Sequence, residues 1–218
     1  MSEFLIEPLV NQPHVAGQWV SLALPTGPHP PLKRAYSMAT RPREDGRLVL
    51  AFDHVPGGLG SSYLKELKVG EQVHIQACMG NFILPVGLDP TTPLLFVAHY
   101  TGVVPVRGLL EEASQRTWKG PISILYSSPS EKEWIYQSEL QNTGLENVME
   151  FRQAVDSLDG EWLNGGWGQH CIATFEKWAS RPDTLFYIAG IGNFVRPLRA
   201  TLKGMGVGRK QIKAQRYD

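Results

Sequence analysis

The sequence predicts a two-part protein, an antiparallel β-barrel followed by an α/β unit with a doubly wound parallel sheet. Up to about residue 90, short runs of partly alternating apolar and polar residues are separated by glycine and proline, which is typical of antiparallel strands. Beyond that point the apolar runs are continuous and alternate with stretches of helical spacing, as in parallel strands buried on both faces. We therefore expect one domain over residues 1–90 and a second over residues 91–218.

The first half contains three clear strand patterns and one helix pattern. Strands are expected at residues 18–24, 47–55 and 72–78, with turns rich in proline and glycine between them. The helix is expected over Ser61–Leu67, because a hydroxyl side chain at its start is a favourable N-cap.

The second half alternates between buried strands and helices. The apolar run Leu94–Ala98 predicts its first strand, and apolar residues between positions 106 and 113 recur at helical spacing. Further strands are expected at 122–126, 148–155 and 184–189, and further helices near 134–141, 169–179 and 194–205.

Composition excludes several classes of protein. Of the 218 residues, 42% are hydrophobic and 19% are charged, which is typical of a folded globular chain. The 21 basic residues balance the 21 acidic ones, so net charge predicts no nucleic-acid partner. The two cysteines, Cys78 and Cys171, are too few for a zinc or iron–sulfur site. Neither a secretory signal nor an apolar run of about 20 residues is present, so we expect a cytoplasmic protein with no membrane partner.

The run Arg34-Ala-Tyr-Ser-Met-Ala-Thr40 is the most informative motif. Taken alone, arginine followed by Tyr-Ser is ordinary β-sheet sequence. Here Gly17-Gln-Trp-Val precedes it, and Gly58-Leu-Gly-Ser-Ser-Tyr-Leu64 and Met79-Gly-Asn-Phe-Ile-Leu84 follow it. In this order and spacing the motifs resemble the FAD domain of the ferredoxin–NADP reductase superfamily, and the resemblance extends from about residue 17 to the C-terminus.

The chemistry of these residues suits FAD. A guanidinium offers paired donors to a diphosphate, so Arg34 is the expected pyrophosphate ligand. The helix start at Gly60, Ser61 and Ser62 offers backbone N–H groups to the same anion. The resemblance implies that Tyr36 covers one face of the isoalloxazine ring and that Ser37 forms a hydrogen bond with the reactive flavin nitrogen.

One departure concerns the N-terminus. Only sixteen residues precede Gly17, whereas members of the superfamily usually have a full strand or more there. We therefore expect a barrel that is one strand short or closes differently.

The match in the second half is looser. Thr101 and Gly102 agree with the glycine-rich turn that admits the pyrophosphate of a nicotinamide dinucleotide, but His99 and Tyr100 replace small residues of that turn. An ordinary strand-to-helix loop is the alternative interpretation of this turn. Gly190 agrees with the second nucleotide motif, in which the family's cysteine is replaced by Ala189.

The C-terminal segment resembles the closing Glu-x-Tyr of plant-type reductases. The resemblance assigns Tyr217 to the aromatic residue that covers the flavin until nicotinamide displaces it, and Gln215 to the position of the carboxylate. Ser37 and Tyr217 are therefore the expected catalytic residues. A frayed terminus is the alternative.

Asp156 bears on the choice of nucleotide. It follows the third strand of the second half, where NADP-dependent relatives carry a Ser-Arg pair that binds the 2′-phosphate. A carboxylate repels a phosphate and accepts hydrogen bonds from a free ribose hydroxyl, so NADH is expected over NADPH.

The expected function is that of an FAD-dependent NAD(P)H oxidoreductase that passes electrons to a separate electron-transfer protein. Residues 196–216 contain seven basic side chains and no acidic ones, which favours an acidic partner. The alternative is a flavoprotein subunit or electron conduit that has lost nicotinamide binding, because His99, Tyr100 and Ala189 depart from the nucleotide motifs. A binding module without flavin is disfavoured by the intact Arg34–Ser37 motif.

Overall fold

A computed structural model describes residues 1–217, so Asp218 lies outside it. The first half contains five strands and one helix within the described residues. These elements are β1 (Ser2–Ile6), β2 (Trp19–Leu24), β3 (Leu32–Ser37), β4 (Leu48–Phe52), α1 (Leu59–Glu66) and β5 (His74–Met79).

The strands of the first half form two antiparallel sheets. One contains β1 and β4, and the other has the order β3-β2-β5. An isolated bridge between Met38 and Leu50 connects β4 to the residue that follows β3. Alternate residues of β2, including Val20 and Leu22, point into a core shared by both sheets. The antiparallel architecture predicted from the sequence is confirmed, with two sheets around one core.

Strand β1 forms within the short N-terminal segment. It precedes Gly17 and pairs with β4 from Ser2 opposite Phe52 to Ile6 opposite Leu48. Alternation is visible in its exposure, since Phe4 and Ile6 face the core while Leu5 is exposed. A strand therefore does precede Gly17, because five residues are enough to cover the edge of β4. The expectation of a barrel that is one strand short or closes differently stays a prediction.

The second half alternates strands and helices. It contains β6 (Leu94–His99), α2 (Val103–Gln115), β7 (Ile122–Ser128), α3 (Gln137–Gln141), β8 (Val148–Ala154), α4 (Gly166–Ala179), β9 (Leu185–Gly190), α5 (Gly192–Gly204) and β10 (Ile212–Arg216). Short 3-10 turns occur at Tyr100–Gly102, Glu131–Glu133 and Trp162–Asn164.

These strands form one parallel sheet in the order β10-β9-β6-β7-β8. Every residue of β6, β7 and β9 is buried, as expected for strands with helices on both faces. Helix α2 packs on one face through Val106 and Leu109, and helices α4 and α5 pack on the other through Phe175 and Leu198. This confirms the predicted doubly wound α/β architecture and aligns the carboxyl ends of all five strands along one edge.

The two halves share a core. Phe82 and Leu84 precede the expected junction at 88–93, yet both are buried with α2 and the parallel sheet. The Tyr187 hydroxyl donates to the Ile83 carbonyl at 2.9 Å, and Arg116 donates to the Pro85 carbonyl at 2.8 Å. The domain boundary at residue 90 stays a prediction, and we propose it as a division of the strands rather than of the hydrophobic core.

Candidate functional site

Arg34, Tyr36 and Gly60 meet where α1 packs against β3. A Cβ atom added to Gly60 would lie 3.1 Å from Arg34 Cγ and 3.3 Å from the Tyr36 hydroxyl. The absence of a side chain at Gly60 therefore allows α1 to lie close to both residues of β3. The exposed Arg34 guanidinium donates to the Lys33 carbonyl at 2.8 Å, which uses one of its five N–H donors. Burial raises the pKa of Tyr36, and the nearby Arg34 charge offsets part of that increase.

The two serines of α1 are placed differently from the prediction. The helix begins at Leu59 with Gly58 as its N-cap, so the expected N-cap role of Ser61 is wrong. The Ser61 hydroxyl instead lies in the first turn, shares its single proton between the Val55 and Gly58 carbonyls, and accepts from the Val55 amide at 3.2 Å. These bonds hold the preceding loop against the helix start. Ser62 is exposed in the same turn.

Ser37 belongs to a second group of residues, which spans both halves of the molecule. It ends β3, and its buried hydroxyl lies 3.2 Å from the Tyr217 hydroxyl and 2.5 Å from the Gln215 amide nitrogen. The Tyr217 hydroxyl donates to the Thr101 carbonyl at 3.3 Å. Strand alternation turns Ser37 away from Tyr36 and towards the carboxyl edge of the parallel sheet.

The donors and acceptors of this group determine the direction of each hydrogen bond. The Thr101 carbonyl can only accept, so Tyr217 uses its single proton there. Ser37 then donates to Tyr217 and accepts from the Gln215 amide. The Gln215 carbonyl oxygen is left buried with no hydrogen-bond partner among the described residues. A buried acceptor without a partner is available for a hydrogen bond from a bound ligand.

Tyr217 is ordered by this network. Its amide donates to the Gly190 carbonyl at 3.2 Å, continuing the pairing of β10 with β9, so the frayed-terminus alternative is wrong. The residue is 36% exposed, but its hydroxyl is enclosed between Ser37 and Thr101. Burial of the hydroxyl raises the pKa of Tyr217, so the phenol stays protonated at physiological pH.

A cleft of about 210 Å³ adjoins this network. Besides Ser37, Gln215 and Tyr217, its lining residues include Trp19, Ala35, Gly80, Asn81, Phe82 and Arg216. Trp19, Asn81 and Arg216 were not predicted as site residues. The motifs of Trp19 and Asn81 were visible in the sequence as Gly17-Gln-Trp and Met79-Gly-Asn-Phe. What was missing was the pairing of Trp19 with both Ser37 and Met79, which brings the two motifs together.

The turn after β6 carries Thr101 and Gly102. Tyr100, at its start, has a φ of 47°, a left-handed conformation that glycine adopts readily. Its hydroxyl donates to the Asp53 carboxylate at 2.9 Å, across to the end of β4. The buried His99 ring lies 3.0 Å from the Ser127 hydroxyl and packs on Phe194. Burial lowers the pKa of His99 to about 4, so its imidazole is neutral at pH 7.

Gly102 is fixed by close packing. A Cβ atom there would lie 2.1 Å from the Ala189 carbonyl oxygen, so no larger residue fits between the turn and β9. Gly190, next along β9, has a φ of 156°, and a Cβ atom there would lie 3.3 Å from His99 Cβ. Both glycines therefore lie at the carboxyl edge beside Thr101.

Asp156 lies further along the same edge. It is exposed just beyond β8, where the Val155 amide donates to the Ser128 carbonyl at 2.8 Å. Strands β6 and β8 are separated by β7, which places Asp156 about 10 Å sideways from the turn after β6. A cavity of about 320 Å³ opens at this edge between residues 158–163 and the start of α5, with Asp159 and Arg196 in its lining.

The residues present fit FAD. The Arg34 guanidinium lies beside the N-terminal turn of α1, where Gly60 allows the close approach. This combination of charge and helix N-terminus suits a diphosphate. The cleft beside Ser37 offers the Gln215 oxygen as a buried acceptor for a polar ring. Within residues 1–217, no group of three or more His, Cys, Asp or Glu side chains could hold a metal ion, and no helix is long and apolar enough to cross a bilayer.

Comparison with known proteins agrees with this arrangement. The sequence profile of the oxidoreductase FAD-binding domain family matches residues 11–83. Over 210 residues the chain is 32% identical to ferredoxin–NADP reductase B from Sorangium cellulosum, with 93% of this chain and 85% of that protein covered. The chain belongs to the ferredoxin–NADP reductase family.

Other proteins are similar to this chain over part of their length. The toluate 1,2-dioxygenase electron transfer component of Pseudomonas putida is 30% identical over 126 residues, which cover 57% of this chain and 35% of that protein. Among solved structures, the cytochrome P450 reductase GcoB from Amycolatopsis superposes with a TM-score of 0.80 at 20% identity, covering 99% of this chain and 64% of that one. Ferredoxin–NADP+ reductase from Plasmodium falciparum superposes with a TM-score of 0.76 at 18% identity, covering 94% and 84%. The structural likenesses establish the family fold.

Proposed function

We propose that this protein is an FAD-dependent NAD(P)H oxidoreductase that passes electrons to a separate electron-transfer protein. The observation that carries the proposal is the contact of Ser37, from the flavin-type motif of the first half, with Gln215 and Tyr217 at the carboxyl edge of the parallel sheet. A flavin ring in this cleft would adjoin the edge at which α/β proteins bind nucleotides.

For FAD, we propose two groups of ligands. Arg34 and the helix start at Gly60, Ser61 and Ser62 bind the pyrophosphate, and Tyr36 contacts the ring system. Ser37 lies beside the reactive nitrogen, and Tyr217 covers the ring until the nucleotide displaces it. When bound, FAD supplies the chemistry that converts a two-electron hydride into single electrons. The residues of this chain bind, orient and shield it.

The Ser37 hydroxyl donates a hydrogen bond, and the position of Tyr217 determines which atom accepts it. While Tyr217 is in place, the Ser37 proton is directed to the Tyr217 oxygen. Displacement of Tyr217 frees that proton for a ligand, while Gln215 continues to donate to the Ser37 oxygen. Because an amide does not titrate, this donor stays available throughout the physiological pH range.

For the nicotinamide nucleotide, we propose binding along the carboxyl edge, with Thr101, Gly102 and Gly190 near the pyrophosphate. Asp156, exposed at the end of β8, would accept hydrogen bonds from a free ribose hydroxyl and disfavour a 2′-phosphate. NADH is therefore the proposed donor. Ala189 in place of the family's cysteine, with Tyr100 in the turn, predicts slow hydride transfer compared with a relative that has a cysteine and a glycine there.

Anaerobic stopped-flow reduction of the flavin by NADH and by NADPH tests the proposal. We expect a yellow protein that retains FAD, and faster reduction by NADH. A preference for NADPH would contradict the role of Asp156. A flavin that neither nucleotide reduces would favour the alternative, an electron conduit without nicotinamide binding, and a colourless protein that takes up no FAD would reject both. The cytoplasmic location expected from the sequence stays a prediction.

A further inference from the structure

Tyr100 adopts a backbone conformation that is unfavourable for a tyrosine. Its φ of 47° lies in the left-handed region, which is unfavourable for a residue other than glycine. Such a conformation persists only where the surroundings impose it. The side chain of Tyr100 must therefore make a contact that offsets the backbone cost.

That contact crosses between the two halves of the molecule. The Tyr100 hydroxyl donates to Asp53 Oδ1 at 2.9 Å, and the same carboxylate oxygen accepts from the His54 amide at 2.8 Å. Burial and the Asp53 carboxylate both raise the pKa of Tyr100, so it remains a donor at every physiological pH. A hydrogen bond to a charged group is stronger than one between neutral groups, and it offsets the unfavourable left-handed backbone.

The rest of the turn is held equally closely. The Thr101 carbonyl accepts from Tyr217, and Gly102 packs without space against the Ala189 carbonyl. The turn is thus attached to β4, β9 and the segment after β10. Of these attachments, the bond from Tyr100 is the one that ties the turn to the strands of the first half through Asp53.

We propose that Tyr100 and Asp53 are a positioning pair that fixes the turn Tyr100–Gly102 relative to the flavin-type half and thereby sets the affinity for the nicotinamide nucleotide. The Asp53 carboxylate is stabilised in turn by the hydrogen bond that it accepts from Tyr100. This inference rests on the proposed function.

A second tyrosine provides an internal control. Tyr136 also has a left-handed φ, 56°, and its hydroxyl donates to the Glu3 carboxylate at 2.6 Å. It too links the second half to the first, but it precedes α3, and its partner Glu3 belongs to β1 and not to the end of β4. A purely structural role for such pairs predicts equal effects of removing either hydroxyl, whereas a positioning role predicts an effect on the nucleotide from Tyr100 alone.

The experiment compares Tyr100→Phe with Tyr136→Phe in the FAD-loaded protein. We measure KM and kcat for nucleotide-dependent ferricyanide reduction, and the dissociation constant of the oxidised nucleotide by difference spectroscopy. We expect Tyr100→Phe to raise both KM and the dissociation constant about tenfold, with kcat and flavin content unchanged. Tyr136→Phe is expected to leave the nucleotide constants at their wild-type values.

Four further variants separate the effect of the pair from that of the backbone. Tyr100→Gly removes the left-handed strain, so it should fold at least as stably as the Phe variant and still show the raised KM. Asp53→Asn retains an acceptor oxygen and should keep a KM at or below that of the wild type. Asp53→Ala combined with Tyr100→Phe should cost no more than either change alone, because both break the same contact.

The results distinguish a positioning role of Tyr100 from a purely structural one. Equal shifts in the Tyr100 and Tyr136 variants, or no shift in either, would overturn the positioning role while leaving the proposed function intact. A wild-type flavin that neither NADH nor NADPH reduces would overturn the proposed function and this inference with it.

Discussion

Arg34 shows how a single residue can be tested against a matched neighbour. It is exposed beside Gly60 and the start of α1, in a position to bind an anion. We expect Arg34→Ala to raise the dissociation constant of FAD about 10- to 100-fold, because a charge-assisted hydrogen bond to phosphate contributes about 1.5–3 kcal/mol. Arg43→Ala, which removes an exposed arginine paired with Asp45, is the control. Equal flavin retention in the two variants, measured by equilibrium dialysis, would reject the assignment.

His99 predicts how stability changes with pH. Burial lowers its pKa from 6.5 to about 4 in the folded protein. Between these values the unfolded chain binds the proton more readily, so stability falls as pH decreases from 6.5 towards 4, by up to about 1.4 kcal/mol per pH unit from this group. Urea unfolding at pH 7 and pH 5 measures the effect. His99→Gln should flatten the decline, and parallel curves for the two proteins would contradict the assignment.

At the scale of single residues, the sequence identified some contacts and missed others. Arg34, Tyr36 and Gly60 were predicted to act together, and the packing of α1 on β3 brings them together. The bond from Tyr100 to Asp53 could not be predicted, because it joins residues 47 positions apart in sequence and depends on a left-handed backbone that favours glycine. The sequence indicated only that Tyr100 was unusual.

Among the elements, the turn between β6 and α2 has little tolerance for change. A Cβ atom at Gly102 would overlap the Ala189 carbonyl, so we expect Gly102→Ala to destabilise the protein by at least about 1–3 kcal/mol and to weaken nucleotide binding. Gly204→Ala is the control, since nothing lies within 4 Å of a Cβ atom at the end of α5. That change should be neutral or stabilising by about 0.5–1 kcal/mol. Thermal unfolding of both variants measures the difference, and equal stability would contradict this packing.

The strands were predictable where their pattern was strong. Continuous apolar runs identified β6, β7 and β9 to within a few residues, since parallel strands covered on both faces must be apolar throughout. Strand β1 was missed because its five residues precede the recognisable motif and only its pairing with β4 makes it a strand. The start of α1 was misplaced because Ser61 looks like a cap but bonds backward to the loop.

On the scale of the whole molecule, the basic stretch 196–216 is not one patch. Helix α5 runs from the carboxyl edge of the sheet to the opposite edge, and β10 runs back. Lys203 therefore lies about 10 Å along the helix axis from Arg196, and Lys210 lies in the turn at the far edge. Arg216 returns to the carboxyl edge and lines the cleft. Arg196, at the other end of the stretch, lines the separate cavity beside Asp159.

This arrangement predicts which charges an acidic carrier meets. We expect Arg216→Glu to slow reduction of an acidic ferredoxin and to weaken its dependence on ionic strength, because steering by charge is screened over about 8–10 Å. Lys210→Glu, at the far edge, should change the rate little. Reduction of the flavin by the nucleotide is measured separately in each variant. A larger effect at Lys210 would place the docking surface on the other edge of the sheet.

Phe82 connects the cleft with the interior of the protein. It lines the cleft, is 1% exposed, and packs edge-on against Tyr187 of β9 with ring centroids 5.2 Å apart. Any substitution that adapts this packing to a warmer or colder environment also reshapes the cleft wall. Evolution towards a different growth temperature is therefore constrained at this position by the demands of the cofactor, and a laboratory selection for heat resistance should rarely accept changes there.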